Sequence, residues 1–125
     1  MIRAVLVEDE VSGQELLKVM LQNKLPECKI VGVADNVTEA VQLINKSRPN
    51  LVFMDVQLKG GTGFEVLDAL EKFDMAVIFV TAYNNYAIRA LKTRALDYLL
   101  KPLNSTEFDE AVVRIREQLA HLSSE

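Results

Sequence analysis

Thiol and imidazole are nearly absent from this chain: among 125 residues there is one cysteine, Cys28, and one histidine, His121. A lone thiol excludes an internal disulfide and a thiolate cluster for zinc, and it fits a reducing compartment. Positive charge is also short. Fourteen Lys and Arg against eighteen Asp and Glu leave a formal net charge of −4. A surface of that sign repels phosphate backbones, so no direct nucleic-acid contact is expected of this chain. No apolar run approaches the roughly 20 residues that a membrane span needs. The opening stretch, Met1-Ile2-Arg3-Ala4 onward, is interrupted by Glu8 and Asp9 before it could serve as a signal peptide's core. Internal repeats and low-complexity tracts are missing too. A hydrophobic share of 50% with 26% charged residues is a globular composition and excludes disorder. What remains is one soluble, cytoplasmic domain, expected over residues 1–122, with 123–125 as a tail or the start of a linker.

Five short apolar runs are present: Ile2–Val7, Ile30–Ala34, Leu51–Met54, Ala76–Val80 and Tyr98–Leu100. They are rich in Val, Ile and Leu without clean alternation, the pattern of strands buried on both faces. Helical segments lie between them. In the last, Phe108, Ala111, Val112, Ile115 and Leu119 form one apolar stripe, with Arg114, Arg116 and Glu117 off it. Ser12 with Glu15, Asn36 with Glu39, and Asn104 with Glu107 each read as a capping box opening a helix. Pro26 and Pro49 stand where a helix must already have stopped. Cys28 and Met54 read as core fillers. Strand–helix alternation of this kind predicts a doubly wound five-stranded parallel sheet with five helices.

Ligands of such sheets bind beyond the carboxyl ends of the strands, so the residues after each apolar run matter most. The first run is followed by Glu8, Asp9 and Glu10, the third by Asp55, the fourth by Thr81 and the fifth by Lys101-Pro102. After the second come Asp35 and Asn36, which the capping pattern already explains. Four strand ends therefore place carboxylates, one hydroxyl and one amine on a common rim. Two like charges about 4 Å apart repel by roughly 4 kcal/mol at an effective dielectric near 20. Glu8, Asp9 and Asp55 need a cation to stay ionised together, and Lys101 alone supplies too little charge. With no histidine or cysteine pair at hand, the donors are hard oxygens, which suit Mg²⁺.

Val5-Leu6-Val7-Glu8-Asp9-Glu10, Leu51-Val52-Phe53-Met54-Asp55, Val80-Thr81-Ala82 and Tyr98-Leu99-Leu100-Lys101-Pro102 resemble the receiver domains of two-component response regulators. The spacings match as well: 46 residues from Asp9 to Asp55, 26 on to Thr81, and 20 more to Lys101. The wording around Thr81-Ala82-Tyr83 and Ala95–Pro102 is most similar to receivers of the LytTR (LytR/AlgR-like) type. That resemblance implies the flavodoxin-like strand order 2-1-3-4-5. It also implies a phosphoprotein of a phosphorelay, which takes a phosphoryl group from a sensor histidine kinase and switches conformation to control an output such as transcription. Asp55 would be the nucleophile that becomes an aspartyl phosphate. Asp9 and Asp55 would hold Mg²⁺ with the backbone carbonyl of Gln57, and Glu8 would act through a water. Lys101 would pair with a phosphoryl oxygen, after a Lys101–Pro102 bond that the family usually has in cis. Thr81 and Tyr98 would form the switch, while Gln57 and Tyr83 would tune the phosphorylated lifetime. Two copies would pair on phosphorylation, and a DNA-binding effector domain would lie outside this chain.

The pattern departs from the family at Lys59, where proline is common, and at Glu8, where the acidic pair is Glu-Asp. Lys59 reads as a solvated lysine. Gly60, Gly61 and Gly63 keep the turn capacity of that loop, and without a Gly-Lys-Ser/Thr ending they make no P-loop. His121 reads as a helix-end residue facing the helix dipole. Two other functions compete. A haloacid-dehalogenase-like phosphatase would carry a second aspartate two residues after the nucleophile, where Gln57 stands. A pseudo-receiver would have lost residues that are all present here. The chain is thus expected to catalyse only its own phosphorylation and dephosphorylation, and not to be an enzyme on other substrates.

Overall fold

In chain order the elements are β1 (Ile2–Val7), α1 (Val11–Lys24), β2 (Cys28–Ala34), α2 (Val37–Ser47), β3 (Leu51–Met54), β4 (Gln57–Leu58), β5 (Gly61–Thr62), α3 (Gly63–Ala69), β6 (Ala76–Thr81), α4 (Ala87–Lys92), β7 (Asp97–Leu100) and α5 (Ser105–Gln118). They are taken from a computed structural model that describes residues 1–71 and 74–120. His121 and the expected tail at 123–125 lie outside the described residues. The main sheet has the order β2-β1-β3-β6-β7, and every pair in it is parallel. Counting only these strands, the order is 2-1-3-4-5. β4 and β5 form a separate two-residue hairpin beyond the end of β3.

Alternate residues of the inner strands feed two cores. Leu6, Phe53 and Ile78 pack under α1 and α5, against Leu17, Leu21, Phe108 and Ile115. Val5, Val7, Val52, Met54 and Phe79 face the other way, toward Ala40, Ile44, Phe64, Val66 and Ala90 of α2, α3 and α4. β1, β3 and β6 are buried on both sides, which is why their sequences show no alternation. The edge strands differ from that expectation. β2 and β7 are mostly half-exposed, because each has a neighbour on one side only.

The apolar stripe of α5 is buried along its whole length, and Phe108 stacks on Phe53 with centroids 6.1 Å apart. Asn36 and Asn104 cap their helices as expected, accepting hydrogen bonds from the backbone N–H of Glu39 at 2.9 Å and Glu107 at 3.0 Å. Ser12 does not. The extended cap position of α1 is Glu10, which makes no side-chain cap bond, so Ser12 lies inside the first turn. The strand-end loop Glu8–Glu10 sets that boundary, and a cap residue works only where the backbone is still extended. A third cap went unread in the sequence: Thr62 accepts from the N–H of Glu65 at 3.2 Å and opens α3.

Candidate functional site

Strand register places the polar residues. Val7 lies opposite Met54, Met54 opposite Phe79, and Thr81 opposite Leu100, so the strands end on one rim. The sheet ladder continues one step past the strands. The N–H of Glu8 donates to the carbonyl of Ala34 at 3.0 Å, that of Asp55 to Val7 at 3.0 Å, and that of Lys101 to Thr81 at 2.9 Å. Three of the site's side chains are thus rooted in backbone that cannot drift. The Lys101–Pro102 bond is cis.

Lys101 stands between two carboxylates. Its Nζ donates to Asp55 Oδ2 at 2.9 Å and to Glu8 Oε1. Glu8 is 2% exposed, Asp55 7% and Thr81 0%. Burial pushes the Glu8 carboxyl up from its ordinary range, and the Lys101 ammonium opposes that without cancelling it. For Lys101 burial acts downward, yet the hydrogen bonds to Glu8 and Asp55 outweigh it and hold the ammonium above its ordinary value. Two close approaches shape the cradle. A Cβ on Gly13 would lie 2.5 Å from Glu8 Oε1, and one on Gly63 would lie 2.6 Å from the carbonyl oxygen of Asp55. At Gly63 the neighbour is backbone, so only glycine lets α3 start this close to Asp55, whereas at Gly13 it is the end of the Glu8 side chain.

Carboxylate oxygens of Glu8, Asp9 and Glu10 all lie within 4.8 Å of one another. Glu10 joins this cluster although the sequence did not single it out as a ligand, while Asp55 lies outside it and meets Glu8 through Lys101. Three carboxylates this close, of which Lys101 pairs only Glu8 while also pairing Asp55, form a hard-oxygen donor set with surplus negative charge. That set fits a divalent cation of the Mg²⁺ type.

Around the acids lies a shell of aromatic and amide groups. Gln57 donates its backbone N–H to Asp55 Oδ1 at 3.2 Å, and its side-chain Nε2 to the hydroxyl of Tyr86 at 3.0 Å. Thr81 Oγ1 accepts a long hydrogen bond, 3.4 Å, from the N–H of Tyr83. The hydroxyl of Tyr98 donates to the carbonyl of Tyr83, and the Tyr98 ring packs on Phe79 at 6.1 Å. Tyr98 is half-buried, and burial raises its phenol above the ordinary value. Tyr83 is 47% exposed, with its ring edge-on to Tyr86. Lys59 is an exposed lysine with a loose ion pair to Asp35 at 3.9 Å, and its carbonyl accepts from the N–H of Val37. Tyr86 is the residue that sequence reading missed. It pairs with a glutamine 29 positions away and belongs to no local pattern.

Residues 4–113 match the family model described as the response regulator receiver domain. The chain belongs to that family. Sensory transduction protein LytT of Bacillus cereus is 36% identical over 120 residues, which cover 94% of this receiver domain and 48% of LytT. Transcriptional regulatory protein BtsR of Escherichia coli is 34% identical over 119 residues, covering 94% of this chain and 49% of BtsR. Both relatives are of the LytTR type that the motif wording suggested. The receiver domain spans about half the length of the curated relatives it matches. The response regulatory domain of mrkE from Klebsiella pneumoniae shares the fold, with a TM-score of 0.88 at 20% identity over 95% of this chain and 98% of that one. The signal receiver domain of a Luxo repressor protein from Vibrio parahaemolyticus gives a TM-score of 0.81 at 27% identity over 99% and 98%. The chain is therefore a receiver domain of two-component signalling. Among the described residues no helix is long and apolar enough to cross a membrane.

Proposed function

We propose that Asp55 accepts a phosphoryl group from the phosphohistidine of a sensor histidine kinase in the cytoplasm. A carboxylate oxygen of Asp55 bonds to phosphorus as the phosphorus–nitrogen bond breaks, and the bonding pair returns to the donor imidazole. The observation that carries this reading is the pairing of one half-buried ammonium, Lys101, with the buried carboxylates of both Asp55 and Glu8. As Asp55 oxygen becomes part of an acyl phosphate, Lys101 has a phosphoryl oxygen to turn to, so its charge is not stranded. Asp9 and Asp55, with the backbone carbonyl of Gln57, would hold Mg²⁺, with Glu8 acting through a water; the ion when bound neutralises the charge carried by the phosphoryl oxygens.

The switch runs through Thr81 and Tyr98. Thr81 gives up its long hydrogen bond with the Tyr83 N–H and donates its hydroxyl to the phosphoryl group. Tyr83 also accepts from Tyr98, so a shift at Thr81 reaches both residues and the approach to α4. Gln57 and Tyr83 set how long the phosphoryl group stays. The receiver unit comprises residues 1–122, with 123–125 as a tail or the start of a linker. Its output is a DNA-binding effector domain of the full-length regulator, with pairing of two copies on phosphorylation. BtsR is a transcriptional regulatory protein, and about half of it lies outside the part that this chain matches, which supports that output. The domain turns over no substrate besides its own phosphoryl group.

Intact-mass measurement with a small acyl-phosphate donor tests the reading. The parent protein should gain one phosphoryl group with Mg²⁺ and much less without it, and Asp55→Asn should gain none. Equal labelling of Asp55→Asn would assign the nucleophile elsewhere.

A further inference from the structure

Gln57 is tied at both ends. Its backbone N–H donates to Asp55 Oδ1 at 3.2 Å, so its main chain is fixed to the nucleophile. Its side-chain Nε2 donates to the Tyr86 hydroxyl at 3.0 Å. Tyr86 is itself held firmly. Its ring packs on Phe64 at 6.1 Å and on Tyr83 at 6.2 Å. Phe64 is fixed in turn by Phe79 at 5.1 Å and by the Arg89 guanidinium 4.2 Å above its ring. Tyr86 also opens α4, where its carbonyl accepts from the N–H of Ala90.

We infer that Tyr86 is a positioning residue that holds the Gln57 amide on the α4 side and thereby slows hydrolysis of the phosphorylated domain. The inference rests on the proposed phosphorylation of Asp55. In hydrolysis a water oxygen bonds to phosphorus while the bond from phosphorus to the Asp55 oxygen breaks. The bonding pair stays on Asp55 as carboxylate, and the phosphoryl group leaves as dihydrogen phosphate carrying both water hydrogens. A side-chain amide speeds this step when it orients the water, which asks for its donor and its acceptor together. With Nε2 engaged by Tyr86, the amide is held in one arrangement by a partner outside the reacting centre. The lifetime of the phosphoryl group is in this way tied to the position of the first residues of α4.

Tyr86→Phe keeps the ring and its packing and removes only the hydroxyl. After donor removal, decay of the phosphorylated mass should be about four-fold faster in Tyr86→Phe than in the parent, the loss of one modest hydrogen bond. In a Gln57→Ala background the same change should do nothing. A second readout needs neither phosphate nor metal: the side-chain amide resonances of Gln57 in the unphosphorylated protein should move in Tyr86→Phe toward those of a solvated glutamine. An unchanged or longer lifetime overturns the inference, as does the same acceleration without Gln57, or unmoved Gln57 resonances. If the parent protein takes no phosphoryl group at all, the Asp55 reading falls and the lifetime inference falls with it. The amide resonances then still report whether the tether exists, so the two failures are distinguishable.

Discussion

Cys28 and Tyr83 show how local surroundings decide what a side chain does. Cys28 is only partly buried, yet desolvation, with the nearby Glu27 carboxylate adding to it, pushes its thiol up to about 11. The thiolate is the reactive form, so alkylation at pH 8 should run on the order of 100-fold slower than for free cysteine and should rise with pH up to that value. The folded thiol holds its proton more tightly than an unfolded one. Its contribution to stability is therefore complete below the unfolded pKa and is lost as pH climbs through about 11. Alkylation at neutral pH as fast as free cysteine would contradict this. Tyr83 contributes through both backbone and ring: its N–H and carbonyl engage Thr81 and Tyr98, and its ring leans on Tyr86. If that ring limits water at the phosphoryl group, Tyr83→Ala should shorten the phosphorylated lifetime several-fold, about 1 kcal/mol in the barrier. An unchanged decay would leave its backbone as its whole contribution.

Each helix start depends on which residue stands at the extended cap position. Asn36→Ala and Asn104→Ala should each cost about 1 kcal/mol of unfolding free energy, measured by denaturant titration, because each removes a cap on a formed helix. Ser12→Ala should fall within about 0.5 kcal/mol of the parent, since Ser12 caps nothing. Equal losses at all three would contradict the assignment of the α1 start. Ser12 misled because a capping box is a spacing, and here the same spacing falls two residues past Glu10, which takes the true cap position. The five strands were legible because polar residues interrupt short apolar runs where the sheet ends, whereas their order came only with the resemblance to receiver domains. Glu8, Asp55, Thr81 and Lys101 were legible for the same reason: each is the residue at or just beyond a strand end. The half-exposed edges of β2 and β7 were not, because composition does not say which strand lacks a neighbour. Tyr86 was hidden too, since its hydrogen bond with Gln57 exists only once α4 is docked.

Across the whole molecule, Lys101 links the two ends of the chain. It joins Glu8 at the end of β1 to Asp55 at the end of β3 from the last strand of the sheet. Lys101→Ala leaves two buried carboxylates facing each other with no ammonium between them. Without divalent cation it should lower stability by about 3 kcal/mol, and Mg²⁺ should restore more stability to the mutant than to the parent. Labelling of Asp55 should survive in part, because Mg²⁺ still screens the phosphoryl group. The amide shifts around Tyr98 and α4 that accompany phosphorylation should be reduced, because the lysine no longer couples the site to β7. A full parental shift pattern in Lys101→Ala would contradict that coupling.

The buried carboxylate of Asp55 is the proposed phosphoacceptor. Hydride reduction of the phosphorylated protein converts an acyl phosphate to a primary alcohol and so marks the modified residue permanently. Peptide mapping after that reduction should find the alcohol at residue 55 in the Mg²⁺-treated protein and not in protein that received no phosphodonor. A mark at Glu8, Asp9 or Glu10, with residue 55 unmodified, would contradict the account.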